Sequence, residues 1–261
     1  MVAGSVAAID AVADGAEHTI VLTGGGQLHT ITIDGGKTIA IVSDSAAVRD
    51  INGNTASPII TVTEGGSTAY LHRVRIDGSS GVGVSVGPAA TLYADSTQVS
   101  GNDGGGIDLA TGSSGFLRNC MIAGAGGNPG LPAISGTGAS IEVLYSTLGL
   151  DFNNGGPTLQ CSGGSVAVRN SIIVSETSMT GSEINCPGST IENSAQETTL
   201  SPNDWFGTGF ASGDYFLTAA GQTEFADIAI WEDGDPPFDL EGDARPNTDG
   251  ASDYPGADTT L

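Results

Sequence analysis

Six rows of the sequence, LHRVRI (71–76), YADSTQ (93–98), LRNCMI (117–122), VLYSTL (143–148), VRNSII (168–173) and IENSAQ (191–196), share one form: apolar, any, mostly polar, small, any, mostly apolar. Their fourth positions, Val74, Ser96, Cys120, Ser146, Ser171 and Ser194, give periods of 22, 24, 26, 25 and 23 residues. A second ladder runs through GVGVSVG (81–87), GGIDLATG (105–112), PAISGTG (132–138), PTLQCSGG (157–164) and SEINCPGS (182–189), where Val84, Ile107, Ile134, Leu159 and Ile184 are spaced by 23, 27, 25 and 25. Two ladders of nearly one period mean one structural unit repeated, so the chain is a solenoid in which each turn packs on the next.

The ladder segments are short, alternate apolar with polar, favour Val, Ile, Leu and Thr, and are separated by Gly, Asn, Asp and Ser clusters, which is strand-and-turn chemistry. No segment between them carries an apolar stripe at helical spacing, so the helix or leucine signature that leucine-rich, ankyrin and tetratricopeptide repeats need in every unit is missing. What remains is a parallel β-helix, its strands stacked about 4.8 Å apart. The rows resemble the right-handed parallel β-helix repeat proteins of the pectate-lyase-like superfamily. Asn119, Asn170 and Asn193 match that family's polar turn ladder, while Arg73, Asp95 and Tyr145 depart from it. The resulting expectation is an all-β, right-handed parallel β-helix of about eight coils over 19–196.

Outward from the rows, residues 1–18 are Ala-rich with Val6, Ile9 and Val12 at helical spacing, and are expected to form a short helix, near 4–13, that caps the first coil. TIVLTGG (19–25), TITIDGG (30–36), TIAIVSD (38–44) and PIITVTEGG (58–66) supply less regular first coils. Their TxT tripeptides do not continue along the later ladders, which argues against an ice-binding face. NDGGG (102–106), AGAGGNPGLP (123–132) and DFNNGGPT (151–158) are the longest protrusions, where solenoids place contacts.

The repeats stop after Gln196. Residues 197–261 hold nine of the chain's aromatics and 14 of its 30 acids against one base, Arg245. Large apolar side chains arriving where a column ends are expected to form an aromatic, acidic C-terminal cap packed on the last coil, with Arg245 paired to Asp239 or Asp243. The tail also resembles the D-x-x-G-x-x-R-P and GAD ending of secreted bacterial surface β-helix proteins, through Asp239, Gly242, Arg245, Pro246 and Gly256–Asp258.

A net charge of −23, with 7 basic residues, repels nucleic acid and anionic membranes. No apolar run is long enough to span a bilayer. The first residues have neither the basic segment nor the apolar core of a signal peptide, which fits either a cytoplasmic protein or a secreted one whose leader has been removed. Low lysine, high Gly, Ser and Thr, and the β-helix resemblance favour an extracellular or cell-surface location. Cys161 and Cys186 stand at the same position of successive second-ladder strands, where in-register stacking brings Cα atoms to about 4.8 Å, within disulfide range. The alternative is two stacked buried thiols. Cys120 falls on a core rung as a buried, inert thiol.

The resemblance also implies a test for catalysis, because the superfamily contains lyases with Ca²⁺ and an Arg or Lys base, and hydrolases with paired Asp residues. The candidates are Arg73 and Arg75 with Asp95, and then Asp103 and Asp108; the simpler reading pairs Arg73 with Asp95 as a surface ion pair. Asp239, Glu241 and Asp243, within an acidic stretch that starts at Asp233, are the candidate Ca²⁺ ligands, against a solvated acidic loop with no cofactor. Three functions stay open. One is a secreted or surface β-helix that binds, adheres or scaffolds without catalysis, through a surface polysaccharide, a protein partner or self-association. The alternatives are a carbohydrate-active enzyme or carbohydrate-binding module, and a fibre segment of a phage-like or secretion-associated assembly. An aligned strip of outward aromatics would favour sugar binding, and the rows offer only Tyr70, Tyr93 and Tyr145, with no common register.

Overall fold

The computed structural model describes residues 9–23, 27–28, 30–45, 48–53, 58–63, 65–125, 130–150, 156–176, 183–199 and 201–259. Their strands stack in parallel as a β-solenoid of about six turns, slightly fewer than the expected eight. Each turn has three sides. The first stacks Glu17–Leu22, Thr38–Ser43, Thr68–His72, Thr91–Asp95, Ser114–Arg118, the later halves of Ile134–Leu144 and Leu159–Arg169, and Thr190–Glu192. The second is an eight-stranded sheet from Gln27–Leu28 to Ala195–Thr199. The third carries the second ladder, with Val84, Ile107, Ile134, Leu159 and Ile184 paired rung to rung as the spacing predicts. Alternate side chains of all three sides, such as Ile39, Ile41, Leu92, Val99, Ile107, Ile141 and Ile173, meet in one continuous core, the period-two pattern of strands with one face buried.

The first ladder needs one correction. Ala94, not Tyr93, stands opposite Leu71 and Leu117, so the second row reads ADSTQV and its core rung is Thr97. Arg73, Ser96, Asn119, Tyr145, Asn170 and Asn193 then share the corner between the first and second sides, all at φ between 46° and 54°. That left-handed bend is tolerated best by Asn and by short polar side chains, which is why this position looks polar in sequence. The next residue inward forms a buried hydroxyl spine. The Ser146 Oγ accepts from Cys120 N–H at 3.0 Å, Ser171 Oγ from Ser146 N–H at 3.1 Å and Ser194 Oγ from Ser171 N–H at 2.9 Å. Each hydroxyl also donates to a carbonyl two residues back. The spine satisfies corner amides that the sheet ladders leave over. Cys120 ends it as a buried free thiol, whose pKa burial pushes up to about 12.

Cys161 and Cys186 are bridged on successive turns of the third side, with Cα atoms 4.5 Å apart. The expected N-terminal helix lies mostly outside the described residues; Ile9 and Asp10 are helical, and Ile9 is buried in the end of the core. The protrusions at 123–132 and 151–158 also lie partly outside them.

Residues 201–259 depart from the expectation of a cap packed on the last coil. They form short helices, Asn203–Phe206 and Ala219–Phe225, a 3₁₀ turn over Gly207–Ser212 and an antiparallel pair, Ala229–Trp231 with Ala251–Asp253. This tail lies along the outer face of the second side, over several turns. Phe206, Phe210, Tyr215, Leu217 and Phe225 pack on Met121, Ala123, Ile172, Val174 and Ala195. Gly149 provides the room: a Cβ there would stand 2.3 Å from the Tyr215 ring. The corner asparagines hold the tail by its backbone, Asn119 Nδ2 donating to the Phe238 carbonyl at 2.8 Å and Asn170 exchanging two hydrogen bonds with Ile230. Outward apolar residues of the second side thus form, with the tail, a second core outside the first.

One buried group is poorly matched to this arrangement. Asp258 Oδ2 accepts the Leu217 N–H at 2.6 Å, while Oδ1 is buried with no hydrogen-bond partner. Burial pushes its pKa up to about 7 against the opposing pull of that N–H. A folded-state pKa above the unfolded value of about 3.9 means the folded tail prefers the protonated acid. The contribution of Asp258 to stability is therefore highest below about pH 4, falls as the pH rises, and levels off above about pH 7. Asp258→Asn should remove that slope and raise tail stability near pH 8 by roughly 2 kcal/mol. Thermal unfolding across this range would contradict the assignment if wild type and variant kept the same slope.

Candidate functional site

Because the strands of the first side pair in register, outward residues of the same rank line up as columns parallel to the solenoid axis. The middle column reads Ala40, Tyr70, Tyr93, Phe116, Glu142 and Ala167. Its three aromatic rings stack, with centroids 4.7 Å apart from Tyr70 to Tyr93 and 4.8 Å from Tyr93 to Phe116, and planes within 10° of parallel. Parallel stacking at strand spacing is an offset arrangement, and it locks the rings into one ledge. Tyr70 and Tyr93 nevertheless keep 42% and 37% of their surfaces exposed. Large aromatics left open on a sheet face, in a chain with so few aromatics outside its tail, mark a contact surface.

Two further columns flank the ledge. Two residues earlier on each strand stand Thr38, Thr68, Thr91, Ser114, Ser140 and Ser165, a row of hydroxyls in which Ser165 and Ser140 bond at 3.1 Å. Two residues later stand His72, Asp95 and Arg118. Arg118 Nη2 bonds Asp95 Oδ2 at 2.6 Å, His72 Nδ1 lies 3.8 Å from the same oxygen, and Ser96 donates to Oδ1 at 3.2 Å. The hydrogen bond to Asp95 holds Arg118 more firmly protonated. A shallow depression of about 480 Å³ runs between the aromatic and charged columns, closed at one end by Glu142 and Leu144. It brings a guanidinium, two carboxylates and an imidazole beside the aromatic rings, with the hydroxyl row on the far side of the ledge, a set suited to a ligand with both CH faces and OH groups.

The residues singled out by sequence fall in different places. Asp95 is in this site, but its partner is Arg118 and not Arg73. Arg73 sits at the corner, with Nε buried and unbonded. Arg75 lies on the second side, 3.5 Å from Asp214 of the tail and 4.0 Å from Asp77. Asp108 faces out from the third side and accepts from Ser135, and Asp103 is in the turn before it. These candidates therefore do not converge. Nor do the carboxylates offered for Ca²⁺. Asp239 Oδ1 accepts the N–H groups of Glu241, Gly242 and Asp243 at 2.8–3.0 Å, and Oδ2 accepts from Thr259 N–H and Oγ1. Its lone pairs are committed to folding its own loop, and no group of three metal-ligating side chains occurs among the described residues. Arg245 is anchored by Asp253 at 3.2 Å, in place of the expected Asp239 or Asp243.

Sequence reading missed Phe116 and the alignment of Tyr70 with Tyr93. The signal was present in the spacing of 23 between each pair, and the slipped second row concealed it. Tyr145, grouped with these tyrosines by residue type, is buried at the corner beneath Arg245, whose guanidinium carbon lies 4.0 Å from the ring centre. No protein-family model, curated protein or solved structure gives a significant match to the chain. No helix among the described residues is long and apolar enough to cross a membrane.

Proposed function

We propose that this protein is a non-catalytic, extracellular or cell-surface binding module that holds carbohydrate on the outer face of its first side. The observation that carries this reading is the Tyr70–Tyr93–Phe116 ledge set between a hydroxyl column and the His72–Asp95–Arg118 column. Pyranose rings offer CH faces to aromatic side chains and hydroxyls to fixed donors and acceptors, and this face supplies both on a rigid sheet that needs no ordering when it binds. A binding role is favoured over catalysis because Asp95, the site's most central carboxylate, is already engaged by Arg118, His72 and Ser96. A general acid or base needs a carboxylate free to reach the substrate, and these bonds hold Asp95 within the strip.

The disulfide supports an oxidising compartment, since such bridges persist outside the cytoplasm. The stacked rows and the corner asparagines support kinship with the pectate-lyase-like β-helix proteins, and the anionic surface here disfavours their polyanionic substrates. Tyr93→Ala removes the central ring from an exposed position, so the fold should stay intact while affinity for a bound polysaccharide falls at least about tenfold. Affinity electrophoresis in gels containing neutral and acidic polysaccharides would check this; a variant retarded as strongly as the wild type would remove the ledge from the account.

A further inference from the structure

The three columns share a geometry that goes beyond the presence of a sugar site. On each of the strands Thr68–His72, Thr91–Asp95 and Ser114–Arg118, one rung presents one hydroxyl, one aromatic ring and one polar or charged group, in the same order across the strand. The set is then repeated one strand further along, at about 4.8 Å. Across the strands, by contrast, the ledge is one ring wide. It is bounded by turns on the hydroxyl side and on the other by the corner, where the tail's Phe238 carbonyl is bound to Asn119. A ligand crossing the sheet meets one ring; a ligand lying along the axis meets three. Translation by one strand spacing is also about the advance of an extended, equatorially linked pyranose chain per sugar unit.

Charge narrows the ligand class further. Asp95 and Arg118 neutralise each other within the strip, while Glu142 at its end and the chain's net −23 repel carboxylated or sulfated chains. Resting on the carbohydrate reading above, we infer that the strip takes a neutral, extended polysaccharide lying parallel to the solenoid axis, with successive sugar units in register with successive turns. Tyr70, Tyr93 and Phe116 each contact one unit, the threonine and serine column meets hydroxyls along one edge of the chain, and Arg118 with Asp95 meets those along the other.

The test is calorimetric titration of the intact protein with a β-linked neutral oligosaccharide series, from dimer to hexamer, and with a uronate oligomer of matched length. Affinity should rise about fivefold per added unit, the order expected of one ring contact per rung, and level off once the three rings are covered. The uronate should bind at least about tenfold more weakly at low salt. Phe116→Ala should shorten the length at which affinity levels off, whereas a variant affecting a single pocket would lower all lengths alike. Binding that does not depend on chain length would overturn the axial register while leaving a sugar site in place. Preference for the uronate would overturn the neutral class. Failure of every glycan to bind, with the fold intact by circular dichroism, would overturn this inference together with the reading it rests on.

Discussion

Arg245→Ala should detach the tail from the solenoid while leaving the coils folded, at a cost of about 3–5 kcal/mol to the tail's docking, the range for breaking one partner out of a buried ion pair. The side chain is fully enclosed. It bonds Asp253 Oδ2 at 3.2 Å and the carbonyls of Tyr254 and Gly256 at 3.1 and 2.7 Å, and covers the Tyr145 ring. Truncation leaves Asp253 buried without its cation, two carbonyls unbonded and a void over Tyr145. Burial lowers the guanidinium's pKa despite Asp253, a sign that the pair is held at a desolvation cost that its bonds through Nη1 and Nη2 must offset. Hydrogen exchange would read the result directly. Amides of 203–225 and 229–253 should lose protection while those of the first and third sides keep theirs; uniform loss throughout the chain would mean that the tail and the column fold as one unit.

Removing the tail altogether should have the largest effect. A chain ending at Gln196 would uncover Met121, Ala123, Ile172, Val174 and Ala195 together on the second side, forming a contiguous apolar face of the kind soluble monomers rarely show. Such a fragment should associate sideways through that face. End-to-end stacking, the outcome expected of a lost end cap, would be secondary, because the tail lies along the flank. Sedimentation should find dimers or larger species, and an added charge at Val174 should disperse them. A fragment that stayed monomeric and as heat-resistant as the whole chain would refute the role given to the tail.

The fold could be read from the sequence because a solenoid writes its geometry as a period. Val84, Ile107, Ile134, Leu159 and Ile184 lie on one stack in the order their spacing gives, and the same register brings Cys161 to Cys186. The functional face was harder to read because strand side chains alternate with period two, so a slip of one residue reverses inside and outside. Row 93–98 invites that slip. Tyr93 looks like the apolar core residue, whereas the small Ala94 fills that place. Once Tyr93 is turned outward it joins Tyr70 and Phe116, and a scattered set of aromatics becomes a ledge. The tail's position was not legible for a different reason. Its aromatics announce that something apolar must be covered, but the partner surface is the outward side of the second sheet, where Met121, Ile172 and Val174 look like ordinary strand residues. Arg245 was recognisable as a structural anchor, yet its choice of Asp253 over Asp239 depends on the return of the chain through Ala251–Asp253.

The most direct test of the binding face is a map of where ligand touches the protein. Aromatic and amide NMR spectra, followed while a neutral polysaccharide fragment is titrated in, should shift at Tyr70, Tyr93, Phe116 and Arg118 and along the Thr68, Thr91 and Ser114 column. The third side and the tail should stay unchanged. Shifts confined to the tail or the third side, with the ledge silent, would contradict the assignment of this face as the binding surface.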